Sequence, residues 1–169
     1  LFSYCGVRAG EVFSLFWDCI DFERWQNTTR ATKSKRDRIA YITGPVREML
    51  VRRKTTASEG LLFQKPGGGK IGQIPHTFIW TIEKLKFNKG ISDRRDKVVF
   101  HTLRHTFASW LVESGVDLYT VKELMGHATL AMTERYSHLS TGTLQEAVRK
   151  LESPAQTAAE VQDIAQAGN

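Results

Sequence analysis

The sequence predicts a mostly α fold with one small antiparallel β-sheet, an α+β class, and three observations carry that expectation. Apolar residues recur at helical spacing through most of the chain, whereas β-branched and aromatic residues gather in three short runs between positions 19 and 42. Turn-forming residues separate those runs closely enough for hairpins. The length of 169 residues, with 41% hydrophobic and 25% charged residues, suits one globular domain with a sizeable core.

In chain order, residues 9–15 read as a helix. Strands are expected around 19–22, 28–33 and 38–42, separated by the polar turns Trp25-Gln26-Asn27 and 34–37. Pro45 suits a helix N-terminus, and Val46, Met49 and Leu50 carry helical spacing onward, with an end near Thr55. Pro66-Gly67-Gly68-Gly69 cannot sit inside an element and marks an exposed loop. Phe78, Ile82, Leu85 and Lys86 outline a helix over 76–88, followed by a charged loop over 89–97. Leu103, Phe107, Trp110 and Leu111 share one face of a helix over 102–114 that Gly115 stops. A helix over 118–125 ends at Gly126, two short turns follow, and Leu144, Ala147, Val148 and Leu151 stripe a last helix over 143–151. Phe13, Phe16, Trp17 and Trp110 are expected in the core. Residues 1–152 are expected to form the domain, and the Ala- and Gln-rich stretch 153–169 a flexible or partner-dependent tail.

The formal net charge is +6 and the pI about 9.5. Residues 139–169 carry a net −2, so the basic surface belongs to the body and points to a polyanion, nucleic acid or anionic lipid. No apolar run approaches the roughly 18 to 20 residues that span a bilayer, which argues against a membrane partner and against export. Cys5 and Cys19 have neither the number nor the spacing of a disulfide framework or zinc knuckle, so a reducing, cytoplasmic setting is expected. The chain opens Leu1-Phe2-Ser3-Tyr4 in mid-pattern without a methionine, and its first element is expected to be cut.

Chemistry concentrates in a few places. His101 and Arg104 lie i,i+3 and share a helical face; Arg104, between Leu103 and Phe107, should hold a half-buried guanidinium that needs an anion such as a DNA phosphate. His127 follows the helix-stopping Gly126, and Tyr136 lies nine residues on, after a Thr133 that can cap a short helix. Upstream, Arg8 in Gly6-Val7-Arg8-Ala9-Gly10-Glu11 opens a helix with Glu11 one turn on, and Lys33 sits toward a predicted hairpin tip, two residues before Lys35. Taken singly, Arg8 reads as paired with Glu11, Lys33 as solvated and Tyr136 as a packed aromatic. His101 and His105 at i,i+4 could ligate zinc, but the chain has no HExxH motif and no cysteine ligand nearby. Neither a metal nor another cofactor is expected.

The ordered set resembles the catalytic domain of tyrosine recombinases, the phage integrase family. His101-Thr102-Leu103-Arg104-His105-Thr106-Phe107-Ala108-Ser109, Leu124-Met125-Gly126-His127 and Thr133-Glu134-Arg135-Tyr136-Ser137-His138 are similar to the family's second box. Arg8 with Gly6 and Glu11 resembles the first box, although Tyr4-Cys5 stands where a threonine is common, and Lys33 occupies the place of the β-hairpin lysine. The similarity runs to about Leu151. It implies the tyrosine recombinase catalytic-domain fold, truncated at the N-terminus, with a helical DNA-clamping domain upstream.

The resemblance further implies catalytic roles for Arg8, Lys33, His101, Arg104, His127 and the nucleophile Tyr136, supported by Glu11. Two arginines and histidine donors can neutralise the phosphate without a metal or ATP, and a tyrosyl phosphate ester keeps the energy of the broken linkage. His101, oriented by Glu11, would accept the tyrosine proton, and Lys33 or Lys35 would protonate the leaving 5′ oxygen. Implied partners are double-stranded DNA attachment or core sites and other protomers in a synaptic tetramer, with room for a DNA-bending accessory factor. A type IB topoisomerase-like nicking-closing enzyme and a DNA-binding regulator that no longer cuts are the rival readings.

Overall fold

The structure, a computed structural model, describes residues 1–29, 38–54, 59–140 and 148–149. Two short helices open it, α1 over Phe2–Cys5 and α2 over Ala9–Phe13. Gly6 between them takes φ 59°, and a Cβ there would lie 2.4 Å from the Phe107 ring, so conformation and space both require glycine. A 3-10 turn at Trp17–Cys19 leads into three strands, β1 (Ile20–Asp21), β2 (Gln26–Thr29) and β3 (Arg38–Tyr41), antiparallel in the order β1-β2-β3. Asn27 and Thr29 of β2 and Ala40 of β3 turn inward while Thr28, Ile39 and Tyr41 face out, the two-residue alternation of a half-buried sheet.

The first hairpin differs from expectation. Its turn falls over 22–25, where Asp21 Oδ1 accepts the Glu23 and Arg24 N–H groups at 2.9 and 2.8 Å and Trp25 takes φ 52°. Gln26 and Asn27, expected in the turn, instead pair with Tyr41 and Ala40.

Helix α3 spans Gly44–Lys54 and buries Val46 and Leu50. The Pro66 loop is closed by Gly68 N–H on Lys65 O at 2.9 Å and Lys65 N–H on Gly69 O at 3.1 Å. Helix α4 covers only His76–Lys84, because the chain leaves the helix at Leu85 and Lys86 takes φ 56°. It buries no residue fully, and Phe78 meets Phe100 edge-on at 5.0 Å. Next come α5 (Thr102–Glu113), α6 (Leu118–Met125), α7 (Ala131–Glu134) and a 3-10 turn at Ser137–Leu139. Asp117 caps α6 by accepting the Thr120 N–H at 2.9 Å. Of the last expected helix, over 143–151, residues 148–149 are described and are helical; the remainder, and the tail, lie outside the described residues.

One core joins α2, the sheet, α3 and Phe100; the second, between α5 and α6, holds Ala108, Val112, Val121, Met125 and Tyr136. Phe13 and Trp17 are buried as expected, but Phe16 and Trp110 are 44% and 47% exposed. Trp110 leans on the Tyr4 ring, centroids 5.7 Å apart, at the surface where α5 meets α1. The fully buried stripe of α5 is Arg104, Ala108 and Val112, offset by one position from the expected face, with Leu103, Phe107 and Leu111 only partly covered. An arginine lies in that stripe because backbone carbonyls, not apolar groups, meet it.

Among the described residues, no helix is long and apolar enough to cross a membrane.

Candidate active site

The C-terminal turn of α6 organises the site. Gly126 takes φ 60° and ψ 45°, ending the helix and turning the chain into His127, and the last carbonyls of a helix lack partners within it. Three arginines, far apart in sequence, meet three consecutive carbonyls there. Arg38 Nη1, from β3, donates to Leu124 O at 2.7 Å; Arg104 Nη2, from α5, donates to Met125 O; Arg8 Nη2, just before α2, donates to Gly126 O at 2.6 Å. The negative end of the helix dipole and the Glu11 carboxylate offset the repulsion among these guanidiniums. Glu11 Oε1 accepts Arg8 Nη1 at 2.9 Å, while Oε2 accepts the Arg8 backbone N–H at 2.7 Å and Arg38 Nη2 at 2.8 Å.

Arg8 and Arg104, separated by almost a hundred residues, thus donate to neighbouring carbonyls. Arg104 was expected to be half-buried and is 2% exposed, with Nη1 donating to Gly6 O. Burial, then the charges of Arg8 and Arg38, bring its pKa down to about 10, which leaves it protonated at neutral pH. Of its five N–H groups, two are committed to carbonyls. The Arg8 side chain is 44% exposed.

His101 immediately precedes α5 at its exposed rim, and His105 lies one turn on; their rings meet edge-on with centroids 4.7 Å apart. The Tyr136 hydroxyl is hydrogen-bonded to Nδ1 of His105, rather than to His101. In the sequence His105 stands in the second-box stretch and as half of a possible metal pair, with no part in proton transfer. Its position one turn beyond His101 was visible, but nothing local showed that Tyr136 returns to that turn. Tyr136 is 5% exposed, and burial raises its pKa against the opposing pull of Arg135 and Arg104. His127 Nδ1 is 2.9 Å from Thr133 Oγ1. Thr133 lies inside α7, whose N-cap is Leu130, so its buried hydroxyl holds His127 instead of capping the helix.

Burial, followed by the charges of Arg104 and Arg8, pushes the His127 pKa down to about 4. Desolvation also lowers His101, with Arg104 and Arg8 next, and lowers His105, with His101 and Arg135 next. The three imidazoles are therefore neutral near pH 7. Glu11, expected to orient His101, spends both carboxylate oxygens on arginines and makes no hydrogen bond to His101 among the described residues. Lys33 and Lys35 lie outside the described residues. Among the described residues, no group of three or more His, Cys, Asp or Glu forms a metal-ligating cluster. Arg38 was not singled out from the sequence.

The phage integrase family model matches residues 1–142. A tyrosine recombinase, XerA of Pyrococcus furiosus, is 34% identical over 149 residues, covering 86% of this chain and 50% of its own length. The chain spans about half the length of the curated relatives it matches. The catalytic domain of bacteriophage HP1 integrase superposes with TM-score 0.64 at 27% identity, covering 86% of this chain and 75% of that one. The Tn1549 transposon integrase, solved in complex with circular intermediate DNA, shares the fold with TM-score 0.69 at 20% identity, covering 90% of this chain and 57% of that one. With the box around His101 and Arg104, the arginine-lined turn before His127 and a family match over most of its length, the chain belongs to the phage integrase family.

Proposed function

We propose that residues 1–152 carry the catalytic part of a site-specific DNA recombinase, which cuts and rejoins strands through a 3′-phosphotyrosyl link made by Tyr136. The observation that carries this reading is the placement of Arg8 and Arg104 on adjacent carbonyls just before His127, while Tyr136 is bonded one turn from His101 on the helix that holds Arg104. Similarity to tyrosine recombinases supports the same reaction class.

The chemistry follows from these groups. A phosphodiester repels nucleophiles, and its transition state gathers further charge on the nonbridging oxygens. The uncommitted N–H groups of Arg8 and Arg104 neutralise that charge without a metal or ATP, and the neutral His127 beside them can donate a ring N–H to a phosphate oxygen. Tyr136 Oη attacks phosphorus and its proton passes to His105, which already holds the hydroxyl and is neutral enough to accept. The bond to the 5′ oxygen breaks, and that oxygen takes a proton from Lys33. The new ester keeps the energy of the broken linkage, so a 5′ hydroxyl from a partner strand can attack it and release the tyrosine. Duplex attachment sites are the substrate, further protomers in a synaptic tetramer bring in the partner strands, and integration or excision of a mobile element is the outcome.

The test is a pool of nicked duplexes with randomised flanks, in which cleavage near the nick releases a short strand and traps the covalent adduct. The chain should form a denaturant-resistant protein–DNA adduct, and Tyr136→Phe should abolish it while retaining DNA binding within a few-fold. An adduct that survives Tyr136→Phe would overturn the assignment.

A further inference from the structure

We propose that Arg38 is a positioning residue of this site, holding Glu11 and the C-terminal turn of α6 so that Arg8 and His127 are presented to the phosphate. The inference rests on the reading that Arg8, Arg104 and Tyr136 act on one DNA phosphate. Arg38 opens β3, and its side chain is only 14% exposed. One arm reaches Glu11 Oε2 at 2.8 Å and the other Leu124 O at 2.7 Å. Glu11 holds Arg8 Nη1 at 2.9 Å, and Arg8 in turn donates to Gly126 O at 2.6 Å. The contacts close a ring that runs from Arg38 through Glu11 and Arg8 to Gly126, and back along the backbone to Leu124.

The stem of Arg38 also runs against the turn itself. A Cβ on Gly126 would lie 2.5 Å from Arg38 Cδ, so Arg38 packs against the residue whose left-handed conformation aims His127. A guanidinium suits this place because its planar fork offers separate, fixed donors to a carboxylate and a carbonyl at once. A lysine ammonium on a flexible stem keeps the charge and loses the fork. Without Arg38, Glu11 would answer to Arg8 alone, and the half-exposed Arg8 would be free to shift with it. A misplacement on the order of 1 Å at a reacting centre can slow a reaction about 100-fold. Arg38 itself touches neither Tyr136 nor His105 among the described contacts: its hydrogen bonds reach Glu11 and the α6 turn, and its charge acts on Arg104 and His127, a charge that Arg38→Lys keeps.

The experiment measures adduct formation on the same nicked-duplex pool, and DNA retention separately, for the wild-type chain, Arg38→Met, Arg38→Lys, Glu11→Gln and the Arg38→Met/Glu11→Gln double variant, each checked for folding by thermal denaturation. Arg38→Met and Arg38→Lys should form the adduct about 10- to 100-fold more slowly, with DNA retention within a few-fold. The double variant should be no slower than the slower single, because both changes break one link. If Arg38→Met does not fold, Arg38→Lys and Glu11→Gln carry the comparison. Wild-type rates in the Arg38 variants, losses that multiply in the double variant, or a parallel fall in DNA retention would overturn the role of Arg38 while the adduct on Tyr136 stands. Absence of a wild-type adduct on Tyr136 would overturn the underlying reading and this inference with it.

Discussion

The Tyr136 hydroxyl is hydrogen-bonded to Nδ1 of His105, on the helix that also carries Arg104, so the proposed nucleophile is tied to the element that carries the arginine proposed to bind the phosphate. Tyr136 is at the same time a member of the core between α5 and α6. Burial keeps the phenol protonated, and the neighbouring imidazole is kept neutral by its own burial and by positive charge. Both members of the pair are therefore neutral near pH 7, the state in which the proposed transfer of the phenolic proton to His105 would begin.

Replacing His105 with leucine removes that acceptor. Loss of a general base slows catalysis by roughly 100-fold or more, so His105→Leu should reduce the rate of adduct formation by about that factor with DNA binding nearly unchanged. Rates of adduct formation for His105→Leu and His101→Leu, followed against pH, check it. Wild-type rates in His105→Leu together with a lost imidazole-dependent limb in His101→Leu would return the acceptor role to His101.

Arg104 is structural as well as catalytic in this reading. Its removal leaves the Gly6 and Met125 carbonyls without their donor inside the fold. Unpaired buried polar groups cost on the order of 1–3 kcal/mol each, so Arg104→Leu should destabilise the domain by about 3 kcal/mol in urea denaturation. Arg8→Leu, whose side chain is 44% exposed, should cost much less stability. Equal losses for the two would contradict the burial argument.

Stability should rise with pH across the histidine range. His127, pushed down to about 4, and His101 and His105, shifted the same way, bind fewer protons in the folded chain than unfolded histidines titrating near 6.5. The folded state is therefore favoured above about pH 6.5, and that contribution is lost as pH falls toward 4. Melting temperatures measured at pH 5.0 and 7.5 should be lower at 5.0, and His127→Gln should shrink the difference. A melting temperature that is equal at both values, or higher at 5.0, would contradict the neutral-imidazole site.

Much of this architecture is legible in local sequence. Gly126 stops the helix expected over 118–125, and the structure gives α6 those bounds. The spacing of His101, Arg104 and His105 likewise brings them together, His101 just before α5 and the other two on its first turns. What local patterns could not show is which surface each element meets. Arg38 sits at the end of a polar, basic run, and only its contacts with Glu11 and the C-terminal turn of α6 turn it inward. Phe16 and Trp110 read as core because they are large and apolar, yet no neighbour covers them fully. Asn27 reads as a turn residue, but Asp21 closes the turn earlier and leaves Asn27 in a buried strand position.

The most direct test of the central claim is to locate the covalent bond. The adduct formed on the nicked-duplex pool would be denatured, digested with nuclease and trypsin, and the modified peptide sequenced by mass spectrometry. Tryptic cleavage after Arg135 and Arg149 yields peptide 136–149, in which Tyr136 is the single tyrosine. The expected result is a nucleotide phosphate on Tyr136, absent in Tyr136→Phe and strongly reduced in Arg8→Lys and Arg104→Lys. A phosphate on Tyr4, Tyr41 or Tyr119, or no adduct on any tyrosine, would contradict it.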